Sequence, residues 1–296
     1  MKYLFKGSAV ALITPFKDGG IDYDSLGKLI DYQLENKTDG IVVLGTTGEP
    51  ATISDKDKRE IISFAKNKIG GKAKLIVGTG ANSTRKAIEN SVMAKELGAD
   101  GLLIVTPYYN KCSMSGLVEH YKVISESVDD LPIIVYNVPG RTGVNITPEV
   151  AVELSNIPNI VGIKEASGNI SQIVALTSAL KDKMAVYSGD DALNYVFMTL
   201  GALGCISVTA NILPKKVKSV IDLCLASQYA EALLMHEKLL DINKTMFVDV
   251  NPIPVKYACS LLKMCESEIR LPLSLPSENN QEKIKHSLQT FFDLQK

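Results

Sequence analysis

The sequence carries no excess charge of either sign: 32 Lys and Arg stand against 33 Asp and Glu. Nucleic acid and anionic membrane surfaces both call for a basic face, so neither is expected as the main partner. No apolar run approaches the ~20 residues of a membrane span. The apolar start runs into Thr14-Pro15-Phe16 with no small-residue cleavage site, and reads as a first strand rather than a signal peptide. Cysteine pairing of the metal-binding type is missing as well. Cys112, Cys205, Cys224, Cys259 and Cys265 show no C-x2-C spacing, and an odd number in a long chain fits a reduced, cytoplasmic setting. His120, His236 and His286 form no H-x-H or H-E-x-x-H pair. Metal-dependent aldolase or hydrolase chemistry is therefore not expected, and surface or helix-packing roles are.

What is present is an ordinary globular composition, 46% hydrophobic and 22% charged, in 296 residues. Eight short apolar runs recur: Ala9–Ile13, Gly40–Leu44, Leu75–Gly78, Leu102–Val105, Ile133–Tyr136, Val161–Lys164, Ala185–Tyr187 and Cys205–Val208. Their spacing of roughly 20–35 residues suits one β-α unit each. The runs are continuous, not alternating, as in strands of a parallel sheet buried on both faces.

Helix starts are marked between them. Ser54-Asp55-Lys56-Asp57 fits a capping box, and Thr147-Pro148-Glu149 sets a cap, a first-turn proline and an acid in their favoured order. Gly98 and Gly201 mark helix ends. Eight such units predict a (β/α)8 TIM barrel, though periodicity alone leaves a doubly wound sheet open. After residue 224 the strand signal stops, and Gln228–Asn243, Pro254–Met264 and Glu278–Leu294 have helical periodicity. The expected organisation is a catalytic barrel over residues 1–224 and a C-terminal helical domain over 225–296.

Barrel active sites sit at the C-terminal ends of the strands, and there Lys164 is unusual. It ends the apolar strand Asn159-Ile160-Val161-Gly162-Ile163-Lys164. Burial disfavours a charged amine, and a neutral amine is what attacks a carbonyl. A lysine reaching out of the strand end, or one paired with a buried acid, would explain Lys164 taken alone. Its neighbours favour chemistry. Gly45-Thr46-Thr47-Gly48 follows a strand and precedes a helix, where N–H groups and hydroxyls suit a carboxylate. It lacks the G-x-G-x-x-G and Gly-Lys-Ser/Thr patterns of nucleotide loops. Tyr136, Tyr108 and Tyr109 lie at strand ends, where a phenol either relays protons or caps the barrel mouth. Arg141 lies in a Pro-Gly-Arg-Thr-Gly turn suited to a carboxylate, if it is not simply solvated.

Taken in order, GTTGE (45–49), TPYYN (106–110), YNVPGRTG (136–143) and IKEASG (163–168) resemble the dihydrodipicolinate synthase family of the pyruvate-dependent class I aldolases and lyases. The resemblance runs from Gly7 to about Leu262 and includes Asn251-Pro252-Ile253-Pro254-Val255-Lys256. It implies condensation of pyruvate with L-aspartate-4-semialdehyde to 4-hydroxy-tetrahydrodipicolinate, in lysine and diaminopimelate biosynthesis, with no metal or organic cofactor. It also implies a homotetramer of two tight dimers. By motif position Lys164 would form the Schiff base. Tyr136, Thr47 and Tyr109 would relay protons, Tyr109 from across the tight interface. Thr46 and Thr47 would hold the pyruvate carboxylate, Arg141 that of the semialdehyde, and Gly189 and Ile206 would line the pyruvate pocket.

Arg141 speaks against the nearest rival, an N-acetylneuraminate lyase-like aldolase, whose corresponding turn lacks arginine. A retired barrel that only senses a keto acid is the other alternative, and Lys164, Tyr136 and Thr47 argue against it. The family's regulatory lysine site would fall near Pro50, Ala51, Asn82 and Tyr108. Asp55, Lys58 and Lys86 stand at its matching positions, and the two added cations imply weak or absent inhibition by L-lysine.

Overall fold

The structure, a computed structural model, describes residues 1–292. All eight apolar runs become strands: β1 (Gly7–Ala11), β2 (Gly40–Val43), β3 (Lys74–Gly78), β4 (Gly101–Val105), β5 (Ile133–Asn137), β6 (Ile160–Glu165), β7 (Ala185–Ser188) and β8 (Gly204–Ser207). Each pairs in parallel with its sequence neighbours, and β1 pairs with both β2 and β8 to close the barrel. A doubly wound sheet is thereby excluded.

β1 starts two residues before the expected Ala9, and glycine is the reason. Gly7 has φ +126°, and a Cβ there would lie 2.1 Å from Asp39 Oδ2. Gly204 opposite would bring a Cβ within 1.9 Å of the Gly7 carbonyl oxygen. Only glycine lets the first and last strands meet so closely. At its other end β1 stops because the Ile13 N–H turns to Asn211 Oδ1, while Asn211 Nδ2 donates to the Ala11 carbonyl.

Both strand faces are buried, in two separate layers. Ala9, Val42, Ile76, Leu103, Ile134, Tyr187 and Ile206 fill the barrel, while Val10, Ile41, Val43, Leu75 and Val77 face the helices. Each fully buried aliphatic side chain contributes about 1.5–3 kcal/mol.

The surrounding helices are α1 (Tyr23–Glu35), α2 (Asp55–Ile69), α3 (Thr84–Glu96), α4 (Met114–Ser127), α5 (Pro148–Ser155), α6 (Ile170–Leu180), α7 (Asn194–Thr199) and α8 (Pro214–Leu225). Ser54 accepts the Asp57 N–H and Thr147 the Val150 N–H, so both expected caps are made. Gly98 and Gly201 lie just past α3 and α7 at φ +80° and +91°. Between β1 and α1, Phe16–Lys17 and Gly20–Ile21 form a small hairpin that the apolar pattern did not announce.

Beyond α8 the regular elements among the described residues are helices. The single helix expected over Gln228–Asn243 is two, α9 (Tyr229–Glu237) and α10 (Leu240–Thr245). The break falls where the Leu239 N–H turns back to the His236 carbonyl, while the His236 ring is bonded to the Ala192 carbonyl oxygen at 3.0 Å. Then come α11 (Ile253–Leu261) and α12 (Glu278–Gln289). The last part of the segment expected over Glu278–Leu294, residues 293 and 294, lies outside the described residues. Among the described residues no helix is long and apolar enough to cross a membrane.

Two histidines are buried in these helices. Burial pushes His120 down to about 4, and lowers His236 as well. A histidine whose pKa is depressed by folding stabilises the fold fully above its unfolded value of about 6.5, and loses that contribution as the pH falls below it. The thermal midpoint should therefore drop between about pH 6.5 and pH 4, and His120→Gln should flatten the drop. A His120→Gln variant whose midpoint tracks the parent's throughout this window would show that the loss arises elsewhere.

Candidate active site

Lys164 is the fifth of the six residues of β6, and its side chain points into the barrel, 5% exposed. It stands level with Tyr136 on β5 and Tyr187 on β7. Its Nζ lies 4.2 Å from the centroid of the Tyr136 ring. The other buried lysine, Lys256, is ion-paired to Glu49 at 2.6 Å. Lys164 has no such partner among the described residues.

The two tyrosines beside Lys164 are not equivalent. Tyr187 stacks on Phe5 with ring centroids 4.4 Å apart and donates its hydroxyl to the Phe5 carbonyl at 2.7 Å. Burial raises its phenol pKa, and the group is committed to the barrel floor. Tyr136 instead lines the cavity at the mouth. Above Lys164, Gly189 leaves the side chain its space, since a Cβ at 189 would lie 2.9 Å from Lys164 Cε.

The threonine turn forms a single 3₁₀ turn over Thr46–Gly48. The N–H groups of Gly48 and Glu49 close it onto the Gly45 and Thr46 carbonyls, so any grip on an anion falls to the two threonines. Glu49 ends the turn in the left-handed region at φ 55°. Thr47 is buried, and its Oγ1 accepts from Asn251 Nδ2 at 3.0 Å. The Asn251 carbonyl oxygen accepts from Arg141 Nη2 at 2.9 Å. Arg141 itself rides on a one-turn helix, Pro139–Thr142, directly after β5.

A cavity of about 460 Å³ brings together Lys164, Tyr136, Thr46, Thr47, Arg141, Gly189, Asp190 and Asn251. Burial raises the Asp190 carboxyl pKa there. A second cavity of about 560 Å³ shares Thr46, Tyr136, Arg141 and Asn251 and runs outward past Pro50 and Ala51 to Lys58, Lys86 and Tyr108.

Two of the expected site residues stand apart. Ile206 is buried in the barrel interior and does not border the cavity, whereas Val208, just past the end of β8, does. Tyr109 is 90% exposed and lines neither cavity. It has φ 77°, and the Asn110 N–H bonds to the Tyr108 carbonyl across it. That is a γ-turn of the rarer, strained kind.

Sequence reasoning missed the wall that the C-terminal extension builds. Lys256, on α11, reaches Glu49 with both side chains 1% exposed, and lies 3.7 Å above the Phe16 ring. Burial lowers its pKa, with Glu49 opposing. Arg270 covers the other parts of the same group, donating its main-chain N–H to Glu49 Oε2 at 3.3 Å and stacking on Phe16. The signal was readable: Lys256 sits in the apolar run Ile253-Pro254-Val255-Lys256-Tyr257-Ala258, as Lys164 does in its strand.

A closed (β/α)8 barrel with a buried amine that has no ion-pair partner among the described residues, a facing phenol and a two-threonine turn has the layout of a Schiff-base-forming aldolase or lyase. The chain matches the dihydrodipicolinate synthetase family over residues 4–291, and it belongs to that family. It is 48% identical over 286 residues to the 4-hydroxy-tetrahydrodipicolinate synthase of Caldicellulosiruptor saccharolyticus, covering 96% of each chain. Its fold is similar to that of dihydrodipicolinate synthase from Aquifex aeolicus, with a TM-score of 0.95 and 44% identity over 97% of this chain and 98% of the other. The chloride-inhibited enzyme from Acinetobacter baumannii, solved with pyruvate, gives 0.94 and 46% over 96% and 98%.

The Glu49–Lys256 pair can be tested directly. Lys256→Met leaves a buried carboxylate uncompensated and should cost about 3–5 kcal/mol, read from denaturant midpoints at constant m-value. Glu49→Gln combined with Lys256→Met should recover at least about half of that loss. A double variant no more stable than the single one would place the loss in packing, not charge.

Proposed function

We propose that this protein condenses pyruvate with L-aspartate-4-semialdehyde through a Schiff base on Lys164, yielding 4-hydroxy-tetrahydrodipicolinate for lysine and diaminopimelate biosynthesis. The observation that carries this reading is Lys164 itself, buried at the cavity floor with no ion-pair partner among the described residues. The names of its relatives in the same family agree with it.

The chemistry follows from the residue types. The Lys164 amine attacks the pyruvate ketone, and loss of water leaves an iminium. This electron sink makes the methyl protons acidic enough for removal by a relay through Tyr136, Thr47 and Tyr109. The enamine then adds to the semialdehyde carbonyl. The substrate's own amine closes the ring and displaces Lys164, so neither a metal nor an organic cofactor is required. Thr46 and Thr47 hold the pyruvate carboxylate, and Arg141 meets that of the semialdehyde. Gly189 gives pyruvate and Lys164 their room, and Ile206 packs beneath them. Arg141 at the mouth favours the semialdehyde over a sugar acid, and so over an N-acetylneuraminate lyase-like role.

Tyr109 reaches the relay only from a second copy of the chain. Its near-complete exposure on a strained turn supports a tight dimer, and pairs of such dimers would make the tetramer. We take the setting to be the cytoplasm, in keeping with five free cysteines. The helical segment after Leu225 acts as a second, supporting domain.

Reductive trapping tests the core of this reading. Borohydride with pyruvate should add a pyruvate-derived mass to the peptide holding Lys164, and Lys164→Ala should abolish it. Mass on any other peptide would overturn the assignment. Arg141→Ala should leave trapping intact while semialdehyde turnover falls about 10²-fold or more. Equal losses in both would remove Arg141 from semialdehyde recognition.

The outer cavity bears on regulation. Lys58 and Lys86 lie 3.7 and 2.7 Å from Asp55, and Lys86 also meets Glu89, so part of their charge is offset. The two ammonium side chains border the cavity and the two acids do not, so it is positive charge that a cationic effector would meet. L-lysine is expected to inhibit weakly or not at all, and an inhibition constant in the micromolar range would contradict this.

A further inference from the structure

The two strands that bring Tyr136 and Lys164 together carry a second polar pair on their outer face. One residue further along the same register, Asn137 stands level with Glu165. Successive strand side chains point to opposite faces, so the inner pair and the outer pair are back to back. Glu165 is wholly buried, yet each of its hydrogen bonds comes from a neutral donor. Asn137 Nδ2 donates to Oε2 at 2.8 Å, Gln172 Nε2 to the same oxygen at 3.2 Å, and the Ser167 N–H to Oε1 at 2.5 Å.

Asn137 is fixed in turn. Its Oδ1 accepts the Ile146 N–H at 2.8 Å, which sets the amide so that Nδ2 faces Glu165 and Asn145 Oδ1. Asn145 and Gln172 exchange hydrogen bonds at 2.7 and 3.1 Å and complete the network. Burying a carboxylate is unfavourable unless its oxygens are satisfied, and an apolar side chain would fill this space at lower cost. The network instead ties the end of β5 to the end of β6 at the level of the reacting groups.

We infer that Glu165 is a positioning residue: acting through Asn137, it holds the ends of β5 and β6 so that Tyr136 faces Lys164 at the separation the reaction uses. This rests on the function proposed above. A displacement of about 1 Å at a reacting group costs on the order of 10²-fold in rate. A shifted strand end should therefore appear in kcat before it appears in pyruvate binding, which depends on the threonine turn across the barrel.

The wild-type chain is first trapped with pyruvate and borohydride; if Lys164 stays unmodified, the functional reading fails and Glu165 is not in question. Glu165→Gln then points an amide NH2 at one or more donors already in place, whichever way the amide turns. It should lower kcat about tenfold or more, leave the pyruvate KM within about twofold, and still be trapped at Lys164. The reciprocal variant, Asn137→Asp with Glu165→Gln, returns one carboxylate to the pair, and the Asn145 and Gln172 amides can rotate to follow it. It should recover kcat to within about threefold of wild type with the pyruvate KM and trapping again unchanged, a rescue confined to kcat that a merely structural role does not give. Wild-type kcat in Glu165→Gln overturns the proposal. So does a folded double variant that stays about tenfold slow. If the single variant does not fold, the double decides by the same measure, and if neither folds, Glu165 is a folding residue and the proposal falls.

Discussion

The arrangement of the whole mouth of the barrel follows from one constraint: an amine is held out of water with no acid among the described residues to meet it. Removing an ammonium from water is unfavourable, and the chain shows both ways of living with that. Lys256 is given Glu49, an aromatic face and a roof from Arg270, and the result is a structural joint. Lys164 is given the face of Tyr136 and an open cavity. Among the described residues no acid pairs with it, which leaves the nitrogen open to the carbonyl chemistry proposed above. The residues near it leave it accessible: Gly189 gives way to the side chain, and Tyr187 spends its hydroxyl on the barrel floor, leaving Tyr136 as the phenol at the mouth.

The C-terminal helices belong to this site as much as the strands do. Asn251 bonds Thr47 with its side chain and Arg141 with its main chain, so the two ends of the cavity are joined through a residue outside the barrel. Five residues on, Lys256 locks the turn that carries Thr46 and Thr47. The carboxylate grip proposed for these two threonines would be only as good as the backbone that aims them. Here that backbone includes a left-handed Glu49, a conformation that its packing and hydrogen bonds have to maintain.

Most of the barrel was legible because the information is local. Eight apolar runs, two capping residues and two helix-ending glycines are statements about neighbours in sequence, and each describes its own element. Lys164 was legible for a related reason: one charge in an apolar strand is conspicuous without knowing what lies across from it. What escaped was long-range. The start of β1 depends on Gly7 meeting Gly204, and the split of the helix after Gln228 on a turn held by the Ala192 carbonyl. Lys256 gave the same local signal as Lys164, and only geometry separates a paired lysine from an unpaired one. Tyr109 sits in a motif beside the other site residues, yet within one chain it points into solvent.

The alternation of strand side chains lets β5 and β6 meet two demands that would conflict on one face. The proposed Schiff base asks that Lys164 have no acid beside it, whereas precision asks that the strand ends be bound by strong polar contacts. Inside the barrel, Tyr136 and Lys164 meet across an open cavity; outside it, Asn137 and Glu165 make the strong contacts one residue away. A carboxylate on the inner face would pair with the amine and silence it, while the same carboxylate on the outer face is separated from it by the strand itself. The order Tyr-Asn on one strand and Lys-Glu on the next thus sets a division of labour in the pleat: on the function proposed here, one residue of each pair reacts and the other holds.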